Sequence, residues 1–383
     1  MPIPILTDAR SLNGGTGVST YARGLAAALP HLTDQPLLLK ASTTNNRAVR
    51  WLNAVSPRTR PLVYDAMGSL SARDVFRNAH VHFSTWGRLL RLSSDLPPGI
   101  AHWTYPVPLV LDGWINLYTV HDAIPLDAPE LTSIDPRRHR AVLDRIQQEA
   151  ARLVTVSDSA RVSIVTALGC APDFVVNAGQ AVDVTDTPRM PIPAALRRKG
   201  YLLVVGSIEP RKNVAKLLAG YRASGTTLPL VLAGPDGWQA EPILREIRAT
   251  PGAVRLPYQT RGELLGLIEG ARALLFPSLA EGFGLPVIEA MALGTAVMTS
   301  ELGALAEVAG GAARLVNPHD ITSMAAAIEE LSRNDAMIDA LGSAGLVRAD
   351  AFTANRFVEG LRSLYVDALR GTRPQGRGKP LDL

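Results

Sequence analysis

The stretch Phe276-Pro-Ser-Leu-Ala-Glu281-Gly-Phe-Gly-Leu-Pro286-Val-Ile-Glu289-Ala-Met-Ala-Leu-Gly294 decides how the chain is read. The apolar run at 273–276 predicts a short strand, Pro286 suits the first turn of a helix, and Gly294 suits its end. Glu281 then lies in a glycine-bracketed loop at a strand's carboxyl end, and Glu289 about one turn into the helix. Glycines let a ligand approach the backbone, and the helix start offers free N–H groups and a positive dipole end. A diphosphate would fit there, with the two acids accepting from sugar or ribose hydroxyls on either side. Spacing alone also allows a plain turn, with Glu281 exposed and Glu289 an ordinary first-turn acid.

Working outward, strand and helix patterns alternate on both sides. The second half predicts strands at 202–205, 228–233, 253–256, 273–276 and 296–299, separated by helices at 214–222, 241–249, 261–271 and 286–293. Helices at 321–331, 337–351 and 355–369 follow. The first half predicts strands at 3–7, 37–39, 80–83, 115–120 and 152–156, with helices at 18–29, 136–150 and 159–168. Residues 185–200 contain Pro188, Pro191 and Pro193 and little apolar periodicity, which marks a break. Such alternation implies mostly parallel sheets covered by helices on both faces, so the fold class is α/β with two doubly wound domains facing each other across a cleft. The expected division is 1–186, a linker at 187–199, a second domain at 200–351, a helix at 352–371 returning to the first domain, and a disordered tail at 372–383. Ligands of open α/β sheets bind at strand carboxyl ends, which makes the cleft the expected site.

Val204-Val-Gly206-Ser-Ile-Glu209-Pro210-Arg211-Lys212-Asn213 places two cations at another strand-to-helix junction. Cations at a helix start oppose its dipole, so a bound anion explains them better than solvent does. A departing diphosphate needs its charge stabilised, and the sequence has no Asp-x-Asp pair to bridge one through a metal. No metal and no cofactor are therefore expected. Ser157 or Asp158 is the expected cap of the helix that follows, and Asp236 either a donor contact or a turn residue.

Glu-Pro-Arg-Lys-Asn at 209–213, followed by the 276–295 stretch, resembles the family-4 retaining glycosyltransferases of the GT-B fold. The resemblance extends to Thr119-Val-His121-Asp122-Ala-Ile-Pro-Leu and to Gly14-Gly15-Thr16-Gly17. It implies that Glu281 touches the transferred sugar, that His121 sits beside the anomeric centre, and that Glu289 holds the donor ribose. It assigns the diphosphate to Arg211, Lys212 and the amides of Gly282, Phe283, Gly284 and Leu285, with Gly15 and Thr16 approaching from the other domain. Asp122 is expected to orient its loop rather than to react. Two positions depart from the family pattern: Ser207 stands where many relatives carry a basic residue, and Pro257-Tyr258 where many carry a glycine. The base is accordingly hard to read. The nearest likeness is to bacterial polysaccharide mannosyltransferases, which makes mannose from GDP-mannose the first expectation, with UDP-glucose, a dTDP-sugar or an epimerase activity as alternatives.

Bulk properties fit an intracellular enzyme. Hydrophobic residues make up 47% of 383, enough for two cores. A single cysteine, Cys170, excludes an intrachain disulfide, and the first residues lack the basic start of a signal peptide. A cytoplasmic location is expected. Eight arginines between 47 and 91 face only Asp65 and Asp74. They form either a solvated face or a peripheral contact with anionic membrane, which suits a glycan or polyprenyl-diphosphate-linked acceptor. No nucleic-acid-binding motif is present, so no nucleic-acid partner is expected.

Overall fold

The computed structural model describes residues 3–15, 17–43, 47–65, 69–185 and 187–371, with the side chains of 47–50 excepted. Thr16 and the expected tail at 372–383 lie outside the described residues.

Two large sheets form. The second-half sheet runs Ala253–Leu256, Leu230–Ala233, Leu202–Val205, Ala273–Phe276, Ala296–Ser300, Arg314–Val316, all parallel. Ranked by chain position this is 3-2-1-4-5-6, the doubly wound order. Its central strands are buried along their whole length, because helices cover both faces; this is why they read as unbroken apolar runs.

The first-half sheet has eight strands. In space they run Val175–Asn177, Arg152–Thr155, Ile115–Thr119, Ile100–Trp103, Ile5–Asp8, Pro36–Ser42, Leu70–Arg73, Val63–Tyr64, and only the last pair is antiparallel. A three-stranded sheet of Arg60–Pro61, Leu90–Ser93 and Leu109–Leu111 stands beside it. In each large sheet the strand order reverses between two central neighbours: Ile5–Asp8 and Ile100–Trp103 in the first, Leu202–Val205 and Ala273–Phe276 in the second.

The expected strand at 80–83 is corrected. Those residues belong to the helix Val75–Trp86, whose buried Val75, Phe76, Ala79 and Phe83 recur at helical spacing, and the chain leaves it through Gly87 in the left-handed conformation. Residues 187–199 do not hang free between the halves. They lie along the helix Arg261–Gly270, with the Met190 amide donating to Gly262 O (3.0 Å) and the Lys199 amide to Gly270 O (2.7 Å). The helix Ala354–Gly371 reaches first-half residues. Arg362 donates to His31 O at 2.8 Å, and the Tyr365 hydroxyl meets His102 Nδ1 at 2.7 Å. One apolar cluster, containing Ile5, Leu25, Phe283, Val287 and Leu361, joins the halves.

Candidate active site

The second half supplies a charged centre at its order reversal. After Leu202–Val205 the chain makes a short 3-10 turn, Pro210–Lys212, before the helix Val214–Ala223. After Ala273–Phe276 comes the Glu281 loop and the helix Leu285–Ala292. Asn213 ties the two loops together. It adopts the left-handed conformation (φ 59°), and its side-chain amide donates to Pro277 O (3.1 Å) and Pro318 O (2.7 Å). The Leu279 amide adds a bond to Arg211 O at 2.9 Å.

This clamp brings Glu281 between the two cations. Lys212 Nζ donates to Glu281 Oε1 at 2.6 Å and Arg211 Nη1 to Oε2 at 2.5 Å, while Arg211 Nη2 reaches Glu209 Oε1 at 2.7 Å. Lys212 Nζ also stands 4.5 Å above the Phe276 ring. Burial alone would raise the Glu281 carboxyl, but Lys212 and Arg211 outweigh it and hold it below the ordinary carboxylate range. Burial opposes the charge on Arg211 as well, and Glu281 and Glu209 more than compensate. Lys212 is pulled below the usual lysine range by burial, with Glu281 opposing. The result is a paired, largely buried charge cluster at a strand's carboxyl end.

Glu289, one turn into the next helix, is buried and paired with Arg261 Nη1 at 2.5 Å. Arg261 also holds Asp183 O at 3.0 Å. Sequence reading passed over Arg261, although it opens a helix behind the Thr260/Glu263 capping box and so opposes the dipole as Arg211 does. Phe283 is buried edge-on against Phe352 (centroids 5.4 Å), leaving only its backbone for a ligand. Asp236 pairs with Arg255 at 2.8 Å.

In the first half, His121 follows Ile115–Thr119 and its Nε2 lies 3.0 Å from Thr104 O. A carbonyl only accepts, so Nε2 carries the proton and Nδ1 keeps its lone pair. Burial lowers the His121 pKa to about 4, against the Thr104 carbonyl that favours protonation, so the ring is neutral at pH 7. Thr104 is itself fixed by Asp8, which accepts its amide (2.7 Å) and hydroxyl (3.0 Å). The Tyr21 ring stands edge-on to His121 with centroids 5.0 Å apart. Asp122 Oδ1 accepts the Ile124 amide at 3.0 Å, an Asx turn that shapes the loop.

The two halves meet at this level. Gly282 lies against the His121 backbone so closely that a Cβ there would stand 2.3 Å from His121 O. Ser157 caps the helix Asp158–Leu168 by accepting the Ala160 amide, and its hydroxyl donates to Gly282 O at 2.7 Å. Glu307 accepts the Asp158 and Ser159 amides at 2.8 and 2.7 Å, so an acid of one half caps a helix of the other. Gly15 faces Tyr258, and Gly17 faces Leu285. Glu281, Arg211, Lys212, Gly282 and His121 thus gather where loops of the two halves meet, with Gly15 opposite the second half at Tyr258 and Glu289 on the helix that follows the Glu281 loop. Among the described residues no cluster of His, Cys, Asp and Glu is arranged to hold a metal ion, and no helix is long and apolar enough to cross a membrane.

Two Rossmann-like sheets in tandem, each with a reversal of strand order, define the GT-B architecture. A solved structure agrees: sucrose-phosphate synthase from Thermosynechococcus elongatus superposes with a TM-score of 0.69 at 18% identity, over 97% of this chain and 100% of that one. Residues 191–346 match the family described as "Glycosyl transferases group 1". The O-antigen chain mannosyltransferase B of Escherichia coli is 32% identical over 250 residues, covering 61% of this chain and 66% of that protein. The serotype-specific mannosyltransferase WbdA of Escherichia coli is 29% identical over 288 residues, 68% of this chain and 35% of that protein. The chain therefore spans just under two thirds of the first relative and about a third of the second. Residues 191–346 thus carry a group 1 glycosyltransferase domain, within a chain that has the GT-B fold.

Proposed function

We propose that the protein is a retaining glycosyltransferase that moves mannose from GDP-mannose to a glycan or polyprenyl-diphosphate-linked acceptor in polysaccharide biosynthesis. The observation that carries this reading is the Arg211–Lys212–Glu281 cluster beside His121, set where a GT-B sheet reverses its order. The mannosyltransferase relatives favour mannose. In this scheme Arg211 and Lys212 stabilise the departing diphosphate, and Glu281, already charged, orients them and takes hydrogen bonds from the sugar. The amides of Gly282, Phe283, Gly284 and Leu285 reach the phosphates, with Gly15 approaching from the first half. Glu289 takes the ribose by sharing its carboxylate with Arg261. Neutral His121 contacts the donor sugar. The acceptor hydroxyl oxygen bonds to the anomeric carbon as the bond from that carbon to the phosphate oxygen breaks, and the departing phosphate oxygen takes the hydroxyl's proton on the same face. The protein's contribution is positioning and charge stabilisation, without a metal.

A thermal-shift screen against GDP, UDP, dTDP and ADP tests the donor, since a ligand of the folded state raises Tm by mass action. A shift confined to UDP or dTDP would replace mannose by the UDP-glucose or dTDP-sugar alternative. The basic segment adds a membrane-facing reading at the cytoplasmic surface. Arg58 and Arg88 are exposed, and so are Trp51 (60%), Leu52 (59%) and Trp86 (49%), a mixture suited to anionic headgroups. Vesicle binding that survives replacement of Arg58, Arg73, Arg77 and Arg88 would reject that surface.

A further inference from the structure

The first half carries a second cationic cluster at its own order reversal. Arg10 lies two residues beyond Ile5–Asp8, and Tyr105 two residues beyond Ile100–Trp103, the neighbouring strands between which the sheet changes direction. Arg10 Nη1 donates to the Tyr105 hydroxyl and to His80 Nε2 (3.2 Å), and its guanidinium lies 4.8 Å from the Tyr105 ring centroid. Arg138, in the first turn of the helix Pro136–Glu149, donates through Nη2 to the backbone carbonyl of the same His80 at 3.3 Å.

The acceptors are all neutral. Arg211, Arg255 and Arg261 each sit on a carboxylate, whereas among the described residues neither Arg10 nor Arg138 has an ion pair. Asp8, the acid that acts on Arg10, is fully buried and held by the Thr104 amide and hydroxyl and by the Arg10 backbone, and Asp135 caps the helix by accepting the Arg138 amide. Two positive charges oriented toward one point by neutral groups repel each other unless an anion joins them. His80 feels that field, since burial and the two arginines together lower its pKa to about 4. Arg10 and Arg138 are both exposed residues, so a ligand can reach them. Because Arg10 donates to the Tyr105 oxygen, the Tyr105 hydroxyl proton is left to donate onward.

The cluster also sits next to the reacting level. Tyr105 follows Thr104, whose carbonyl holds His121. We propose that Arg10, Arg138 and Tyr105 form a subsite for a phosphate or diphosphate group carried by the acceptor, separate from the donor diphosphate at Arg211 and Lys212. This deepens the transferase reading above and rests on it. An acceptor anchored there by its phosphate presents its sugar toward His121.

The test is a titration of inorganic pyrophosphate into the full chain, with the nucleoside diphosphate chosen by the screen present at saturation. Pyrophosphate should bind beside the nucleotide. Arg10→Gln and Arg138→Gln should each weaken it roughly tenfold or more while nucleotide affinity stays unchanged. Arg138 is exposed on a helix surface, so its variant keeps the test valid if Arg10→Gln folds poorly. Unchanged pyrophosphate affinity in Arg138→Gln and the double variant would overturn the subsite, as would complete competition between pyrophosphate and nucleotide. A wild-type chain that binds no nucleoside diphosphate would instead defeat the transferase reading, and the arginine variants would still decide the pyrophosphate site.

Discussion

Glu281 both neutralises Arg211 and Lys212 and stands beside Gly282, where the two halves touch. Glu281→Ala should abolish turnover, a loss on the order of a thousandfold, while nucleotide affinity measured by titration stays largely intact. It should also lower stability in urea melts by roughly 2 kcal/mol, since partly buried Lys212 loses its carboxylate while Arg211 keeps Glu209. Added diphosphate should restore part of that loss. Full transferase activity in this variant would remove Glu281 from the mechanism. Lys212→Ala should weaken both turnover and nucleotide binding; an unaltered nucleotide affinity would take Lys212 out of the diphosphate site.

At the scale of elements, the contacts that matter are those between loops of different halves. Gly282→Ala would push a methyl against the His121 carbonyl, so the halves should part. Small-angle scattering should show a more open particle and kcat/KM should fall at least tenfold, whereas unchanged scattering would mean the loop absorbs the methyl. These same contacts mark the limit of what the sequence discloses. The strands 202–205 and 273–276 are legible residue for residue, because burial on both faces turns them into plain apolar runs. Ile100–Trp103 is not, because His102 interrupts its apolar pattern and finds its partners on other elements, in Thr119 and in Tyr365, 263 residues away. The cationic pair and the acidic loop are each legible as motifs at strand ends. Their direct contact, across about seventy residues, is set by Asn213 bridging to Pro277. Arg261 was passed over for the same reason: its partner Glu289 lies on another element.

For the whole molecule, buried histidines set the acid side of stability. His102 is lowered to about 3 by burial and by the neighbouring His121, and His121 to about 4 by burial, from an ordinary 6.5. A depressed pKa means that the unfolded chain takes up protons first. Stability is therefore full above pH 6.5 and falls as pH drops toward 4, before most carboxylates titrate. Urea midpoints at pH 7.5, 6 and 5 should fall in that order, with a shallower slope in His102→Gln; a flat profile across that range would contradict buried neutral rings. The helix Ala354–Gly371 contributes Tyr365 to the same His102, and Phe357, Leu361 and Leu364 to the shared apolar cluster. Removing residues 354–371 should therefore lower the melting of both halves, not only of the segment it follows.

The hydroxyl of Ser157 does two jobs, accepting the Ala160 amide and donating to the Gly282 carbonyl. For protein engineers this makes the halves poor modules. A chimera that grafts a relative's first half onto this second half must carry Ser157 and a 121–122 turn shaped to admit Gly282. Hybrids joined in the 187–199 stretch should succeed or fail on that match, and overall sequence similarity should forecast them badly.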